Sequence, residues 1–328
     1  MPALNKHLSY LNQLYFHRKG WHQIMKNELI LAKADRTRNA LSMSADEFRT
    51  RLNRDCFVLW SLPQFNASEL TDTPVLPTDA EYVEIKNSDL HGALLSAHFE
   101  AGLWPVVYLG ENDGHLIRHV CPMMKAEEKI SSQGGKFYFY PHVDNPDLRI
   151  TGEASVPTMG DCPETLTLLC LRKQVNVKTS LLKLDSVIER LPEKTKYILS
   201  QPVSSINRPA SFEEKFSVEG VPVLVKDNNT WYSRFDWHNT SGMNTEAEDA
   251  LKIMRECTLD HSLWFDAPLN PGDAITFLNQ RTMHTRNAFQ PRFDGTDRWL
   301  LRVFGLMNRP LDSQLLQSKT CLHHLRTI

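Results

Sequence analysis

Paired cysteines are missing from this sequence: Cys56, Cys121, Cys162, Cys170, Cys257 and Cys321 stand far apart, with no C-x-x-C among them. In a chain of this length that spacing suits reduced, mostly buried thiols and leads to the expectation of a cytoplasmic protein. Long apolar runs are also missing. No stretch approaches the roughly 18 apolar residues that a membrane helix needs, and Met1-Pro2-Ala3-Leu4-Asn5-Lys6-His7 carries no signal-peptide core. The sequons at Asn66, Asn229 and Asn239 then have no meaning, and no membrane partner is expected. Charge of one sign is lacking too: 37 Lys and Arg stand against 39 Asp and Glu, for a net charge of -2. The basic residues are scattered, so the chain has no electrostatic footprint for nucleic acid. Internal repeats and low-complexity tracts are absent, which argues against a solenoid.

What remains is a chain of 328 residues, 41% hydrophobic, able to bury a sizeable core. Length alone allows about two domains, yet all-β barrels often carry more residues in one. Residues 1–50 are rich in Leu, Ala, Lys, Arg and Glu and read as one or two amphipathic helices. Asp89 to Glu100 reads as another helix, and Trp104 to Leu109 as a strand. Short β-rich runs follow between turn residues: Lys136 to Tyr140, Thr165 to Leu171, Val221 to Val225, Ala274 to Leu278 and Trp299 to Leu306. Helical segments are expected at Thr179 to Leu191 and Glu246 to Glu256. The pattern describes a helical N-terminal layer on a β-sandwich core.

The chemistry concentrates in three places. In the run from Lys136 to Pro146 a strand meets a turn, and alternation along a strand lets His142 and Asp144 grip one metal ion. Pro141 places this pair at a strand end or edge, as at a barrel mouth. A buried strand from Gly272 leads into a turn and then His284. A hairpin with its turn at Asp294-Gly295 is expected next, leading into a strand on which Arg298, Leu300, Arg302 and Phe304 share a face. Two arginines on an apolar face are costly to bury unless they meet anions. His-x-Asp alone also suits a surface histidine and a turn aspartate. With a distant histidine it forms the two-histidine, one-carboxylate triad of non-haem iron oxygenases, which leaves three coordination positions open.

His142-Val143-Asp144, His284 and Arg298 together resemble the clavaminate synthase-like branch of the iron(II)- and 2-oxoglutarate-dependent oxygenases. By pattern the nearest group is the free L-amino-acid hydroxylases for arginine, asparagine and lysine. The resemblance runs from about Gly110 to Leu306 and includes the Leu168-to-Arg172 strand, Phe235-Asp236 and Asp294-to-Arg302. It implies a mainly β fold with helices: a double-stranded β-helix (jelly-roll) core at 101–310, a helical N-terminal layer at 1–100 and a C-terminal tail at 311–328. The whole of 1–328 would be one domain, with a lid at Asp147 to Glu164 over the substrate.

The resemblance also implies roles. His142, Asp144 and His284 would hold Fe(2+), with 2-oxoglutarate and dioxygen as co-substrates. Arg298 would fork the far carboxylate of 2-oxoglutarate, helped by Thr179 at a helix start, or by Ser180 in its place. Arg302 would take the substrate α-carboxylate, and Glu111 or Asn112 the amino group. Asp236 would meet the substrate side chain, where arginine hydroxylases add a second acid and this chain has His238. One carboxylate suits a compact ammonium, so the expected reaction is hydroxylation at C3 or C4 of free L-lysine. Rival readings are the same chemistry on L-arginine, L-asparagine or a carrier-bound amino acid, and a metal-binding barrel without catalysis. Asp144 argues against halogenation, because related halogenases lack this carboxylate. His323-His324 reads as tail, and a homo-oligomer stays open.

Overall fold

Strands whose residues alternate between two apolar environments make the centre of the molecule. The computed structural model describes residues 18–108, 110–155, 160–212, 214–311 and 323–325. The strands among them are β1 (Phe57–Ser61), β2 (Trp104–Tyr108), β3 (Arg118–Val120), β4 (Phe139–His142), β5 (Thr165–Arg172), β6 (Thr179–Lys183), β7 (Ser204–Asn207) and β8 (Ser217–Val221). They continue with β9 (Leu224–Asp227), β10 (Thr230–Ser233), β11 (Thr240–Gly242), β12 (Trp264–Asp266), β13 (Asp273–Leu278), β14 (Thr282–Arg286), β15 (Trp299–Leu306) and β16 (His323–Leu325). A seven-stranded sheet runs β1-β13-β5-β15-β2-β16 with β3 also on β15, and a four-stranded sheet runs β12-β6-β14-β4.

The central strands are buried on both faces, which explains their near-continuous apolar character. Leu166, Leu168 and Cys170 of β5 and Leu300 and Phe304 of β15 share a core with Leu181, Leu182 and Met283 of the smaller sheet. Leu169, Leu171, Leu301 and Val303, one position out of phase, meet Ile30, Phe48, Leu52, Leu94 and Leu95 from the N-terminal helices. Those helices are Arg18–Ala34, Ala45–Asp55 and Ser88–Glu100. The second begins at Ser44, whose side chain accepts from the Glu47 amide, and ends at Cys56 in the left-handed region with φ 65°. Four of the five described cysteines are buried and all five are free, while Cys321 lies outside the described residues.

Several expectations give way to tertiary structure. The segment Thr179 to Leu191 is not one helix: β6 comes first and a short helix, Leu184–Ile188, follows. Pairing with β12 on one side and β14 on the other satisfies the backbone of β6 as a strand. Thr179 therefore stands on a strand, not at a helix head. The first metal-bearing strand is Phe139–His142 rather than Lys136 to Tyr140. Val221 to Val225 is the junction of β8 and β9, broken at Pro222, which cannot donate to a ladder. β14 and β15 lie in different sheets and form no hairpin, although Gly295 does turn the chain with φ 80°.

The outer parts differ as well. Residues 1–100 are not wholly helical, since β1 pairs with β13 in the larger sheet. The tail is not merely a tail, since β16 lies parallel to β2. Leu109 and residues 1–17, 312–322 and 326–328 fall outside the described residues. The segment expected as a lid is tied down where it is described. Asp147 accepts from Arg208 at 2.6 Å, Arg149 pairs with Asp161, Arg234 pairs with Glu153, and Ile150 and Cys162 are buried. Residues 156–159 of that segment are not described.

Candidate metal centre

β4 and β14 pair so that His142 and His284 are register partners, which sets their rings 4.1 Å apart between centroids. Asp144 lies just past the end of β4, so strand alternation does not place it. Asn279 does. Its side-chain oxygen accepts from the Asp144 amide at 3.0 Å, and its amide group donates to the Asp144 carbonyl at 3.0 Å. One potential ligand atom from each of His142, Asp144 and His284 falls within 4.8 Å of the others.

The donor set fits a divalent metal. His142 hydrogen-bonds the Tyr140 carbonyl through Nδ1 at 2.8 Å, which leaves Nε2 as the lone-pair nitrogen, 3.6 Å from Asp144 Oδ1. That Nε2 and Nδ1 of His284 are buried without partners. Burial, and then the His142 ring, push the His284 imidazole down to about 3, so it stays neutral and able to ligate. Burial alone would raise the Asp144 carboxyl, but Arg302, His284 and His142 outweigh it and hold it below the usual carboxylate range. Two neutral imidazoles and one carboxylate are the set that suits iron(II) with open positions.

The triad opens into a cavity whose walls include Arg118, Leu168, Thr179, Asp236, His238, Arg286, Arg298 and Arg302. Most of the expected site residues therefore meet in one place. Arg298 donates to the Thr179 hydroxyl at 2.7 Å, and both are buried. Ser180 instead donates to Asp266 at 2.6 Å, which leaves Thr179 as the partner of Arg298. Burial lowers the Arg298 guanidinium to about 10 without removing its charge at neutral pH.

Arg302 reaches both Asp144 at 3.1 Å and Glu111 at 2.7 Å. Glu111 is buried between Arg302 and Arg118, 3.4 Å away, and Asn112 accepts from Arg118 at 3.1 Å; neither is among the cavity walls, and Glu111 reaches the cavity only through Arg302 and Arg118. Asp236 is buried, and its oxygens accept from the amides of His238 and Asn239 and from the Asn239 side chain at 2.8 to 3.0 Å. His238 is exposed, and Tyr140 flanks its ring.

Sequence reasoning missed three side chains and two wall segments. Asn279 lies in the turn between the strand from Gly272 and His284, but nothing local marks it as the clamp on Asp144. Nothing local marks Arg118 or Arg286, and only the fold reveals that they face the same cavity. The cavity is also walled by Ile130, Ser131 and Ser132 and by Pro209, Ala210 and Ser211, and not by the described residues of the segment expected as a lid.

Among known proteins no family model matches the chain. An L-asparagine oxygenase of Streptomyces coelicolor is 28% identical over 229 residues, covering 65% of this chain and 62% of that protein. The chain therefore matches less than two thirds of that relative's length. An enduracididine beta-hydroxylase of Streptomyces hygroscopicus is 25% identical over 294 residues, covering 79% of this chain and 82% of its own. A solved asparagine oxygenase in complex with Fe(II), 2S,3S-3-hydroxyasparagine and succinate superposes with a TM-score of 0.71 at 21% identity, covering 93% of this chain and 98% of that one. That likeness establishes a shared fold.

Proposed function

We infer an activity from a membership: the chain belongs to the clavaminate synthase-like iron(II)- and 2-oxoglutarate-dependent oxygenases. The reaction we propose is hydroxylation of an unactivated C–H bond in a free L-amino acid. One observation carries it: two imidazoles and a carboxylate converge at the base of a cavity that also holds Arg298 and Arg302. The alternation of β4, β5 and β6, and again of β12, β13, β14 and β15, between the two sheets supports reading the core as a double-stranded β-helix.

Iron(II) held by His142, Asp144 and His284, with 2-oxoglutarate and dioxygen, supplies the oxidising power that no ordinary side chain has. The protein contributes placement. Arg298, steadied by Thr179, forks the far carboxylate of 2-oxoglutarate. Arg302 receives the α-carboxylate of the amino acid in exchange for part of its bond to Glu111, and Glu111 accepts from the ammonium. Asn279 fixes the Asp144 peptide, so the carboxylate keeps its direction when the substrate charge arrives.

For the side chain we propose L-lysine, hydroxylated at C3 or C4, with the buried Asp236 carboxylate facing its ammonium. A second reading has its own observation. The Asp236 oxygens already accept from three N–H groups, which suits a neutral carboxamide such as that of L-asparagine.

The test loads the protein anaerobically with iron(II) and 2-oxoglutarate, admits air, and follows succinate across the free L-amino acids. One amino acid should stimulate succinate release and gain one oxygen. Asp236→Asn, which removes the charge and keeps an acceptor for the turn, should raise the KM for lysine at least tenfold. Succinate stimulated by asparagine and not by lysine would overturn the lysine assignment. No stimulation by any free amino acid would overturn the reaction proposed.

A further inference from the structure

Six arginines are buried among the described residues: Arg118, Arg208, Arg234, Arg286, Arg298 and Arg302. Four of them have a carboxylate at ion-pair distance: Arg118 and Arg302 share Glu111, Arg208 has Asp147, and Arg234 has Glu153. Arg286 and Arg298 have none, and both line the cavity above the metal centre. Arg286 donates from Nη1 to the carbonyls of Gly135 and Asn287 at 3.1 and 3.0 Å, and from Nη2 to that of Phe137 at 3.3 Å. Its guanidinium lies over the Phe289 ring at 5.1 Å, and its Nε is buried with no partner. Neutral carbonyls orient the group without cancelling its charge.

Two guanidinium groups that line one cavity with no carboxylate at ion-pair distance are costly in the free protein and favour an anion that enters it. We propose that Arg286 is a second cationic anchor for the far carboxylate of 2-oxoglutarate, acting with Arg298 to select keto acids that carry one. The proposal rests on the co-substrate reading above. One carboxylate of 2-oxoglutarate goes with its keto group to the metal, and the other meets both guanidinium groups. The carbonyls of 135, 137 and 287 hold Arg286 in place before the ligand arrives, so little side-chain entropy is lost on binding.

The test is calorimetric titration of manganese(II)-loaded protein with 2-oxoglutarate and with 2-oxobutyrate, which has the same keto-acid end and no far carboxylate. Arg286→Gln should weaken 2-oxoglutarate about tenfold or more and leave 2-oxobutyrate unchanged. Arg286→Lys, which keeps the charge and loses the fork on the backbone, should retain most of the preference. Equal weakening of both acids would make Arg286 a structural brace, and no weakening of either would leave it without a role in binding; each overturns the proposal. If Arg286→Gln does not fold, loss of the preference in Arg286→Lys refutes the charge argument, and retention supports it. Wild-type protein with no preference for 2-oxoglutarate would overturn the co-substrate reading and this proposal together. A wild-type preference that Arg286→Gln leaves intact would overturn only the role of Arg286.

Discussion

Acidification should unfold this protein from a site outside the cavity. His91, His98 and His119 are buried in the layer that joins the N-terminal helices to the larger sheet. Burial, aided by the charge of His115, pushes His91 down to about 3, and burial followed by His91 does the same to His119. Burial takes His98 to about 4, against the opposing bond to the Leu94 carbonyl. Both ring nitrogens of His91 and Nε2 of His119 have no partner. Each folded value lies below the unfolded one, so the unfolded chain binds more protons. Stability is therefore fully present above the unfolded pKa of about 6.5 and is lost as pH falls toward the folded values. At pH 5.5 each unfolded site is about ten parts protonated to one neutral while each folded site stays neutral. That costs about 1.4 kcal/mol per site, or about 4 kcal/mol for three, relative to pH 8. Total stabilities of about 5–15 kcal/mol make this a large loss. Asp147 and Glu164, whose carboxyls burial raises, act in the opposite direction only as pH approaches the carboxylate range.

The measurement is urea unfolding of metal-free wild type and His91→Phe at pH 8 and pH 5.5. Metal-free His284 adds its own proton uptake, but it does so in both proteins and cancels in the comparison. The variant should lose about 1.4 kcal/mol less than wild type over this interval. A wild-type stability that is flat between the two pH values, or a variant with the full pH dependence, would refute the reasoning.

Asn279→Ala removes both bonds that hold the Asp144 peptide; it should weaken iron(II) binding about 10- to 100-fold in an anaerobic titration, as losses beyond the ligands themselves do. Arg208→Met strands the buried Asp147 carboxylate; unfolding in urea should show a loss of about 3–5 kcal/mol, partly relieved at low pH where Asp147 protonates. Thr179→Val takes the hydroxyl from Arg298; the KM for 2-oxoglutarate should rise about three- to tenfold with a smaller change in kcat, because the lost bond orients the anchor and touches no reacting atom.

The residues legible in the sequence share one property: a local pattern announces them. β5, β13 and β15 are continuous apolar runs, and they fold close to where those runs lie. His142, Asp144 and His284 were legible because ligand chemistry restricts residue type, and Arg302 because its charge interrupts an apolar strand. Thr179 was misplaced for the converse reason. A segment with a threonine cap and leucines at mixed spacing suits a helix locally, and only its two partner strands make it β6. The hairpin expected after His284 failed likewise, since a turn residue at Gly295 does not say which sheet receives the next strand.

The less legible contributors are those whose role is a sum over distant groups. Arg286 and Arg208 look alike locally, each at or just past the end of a short, largely polar strand. What separates them is that Asp147 lies 2.6 Å from Arg208, while among the described residues no carboxylate pairs with Arg286. Counter-ions are a property of the folded cavity, so charge balance appears only after every neighbour has been placed. That balance sets Arg286 and Arg298 apart from Arg118, Arg208, Arg234 and Arg302, each of which has a carboxylate at ion-pair distance.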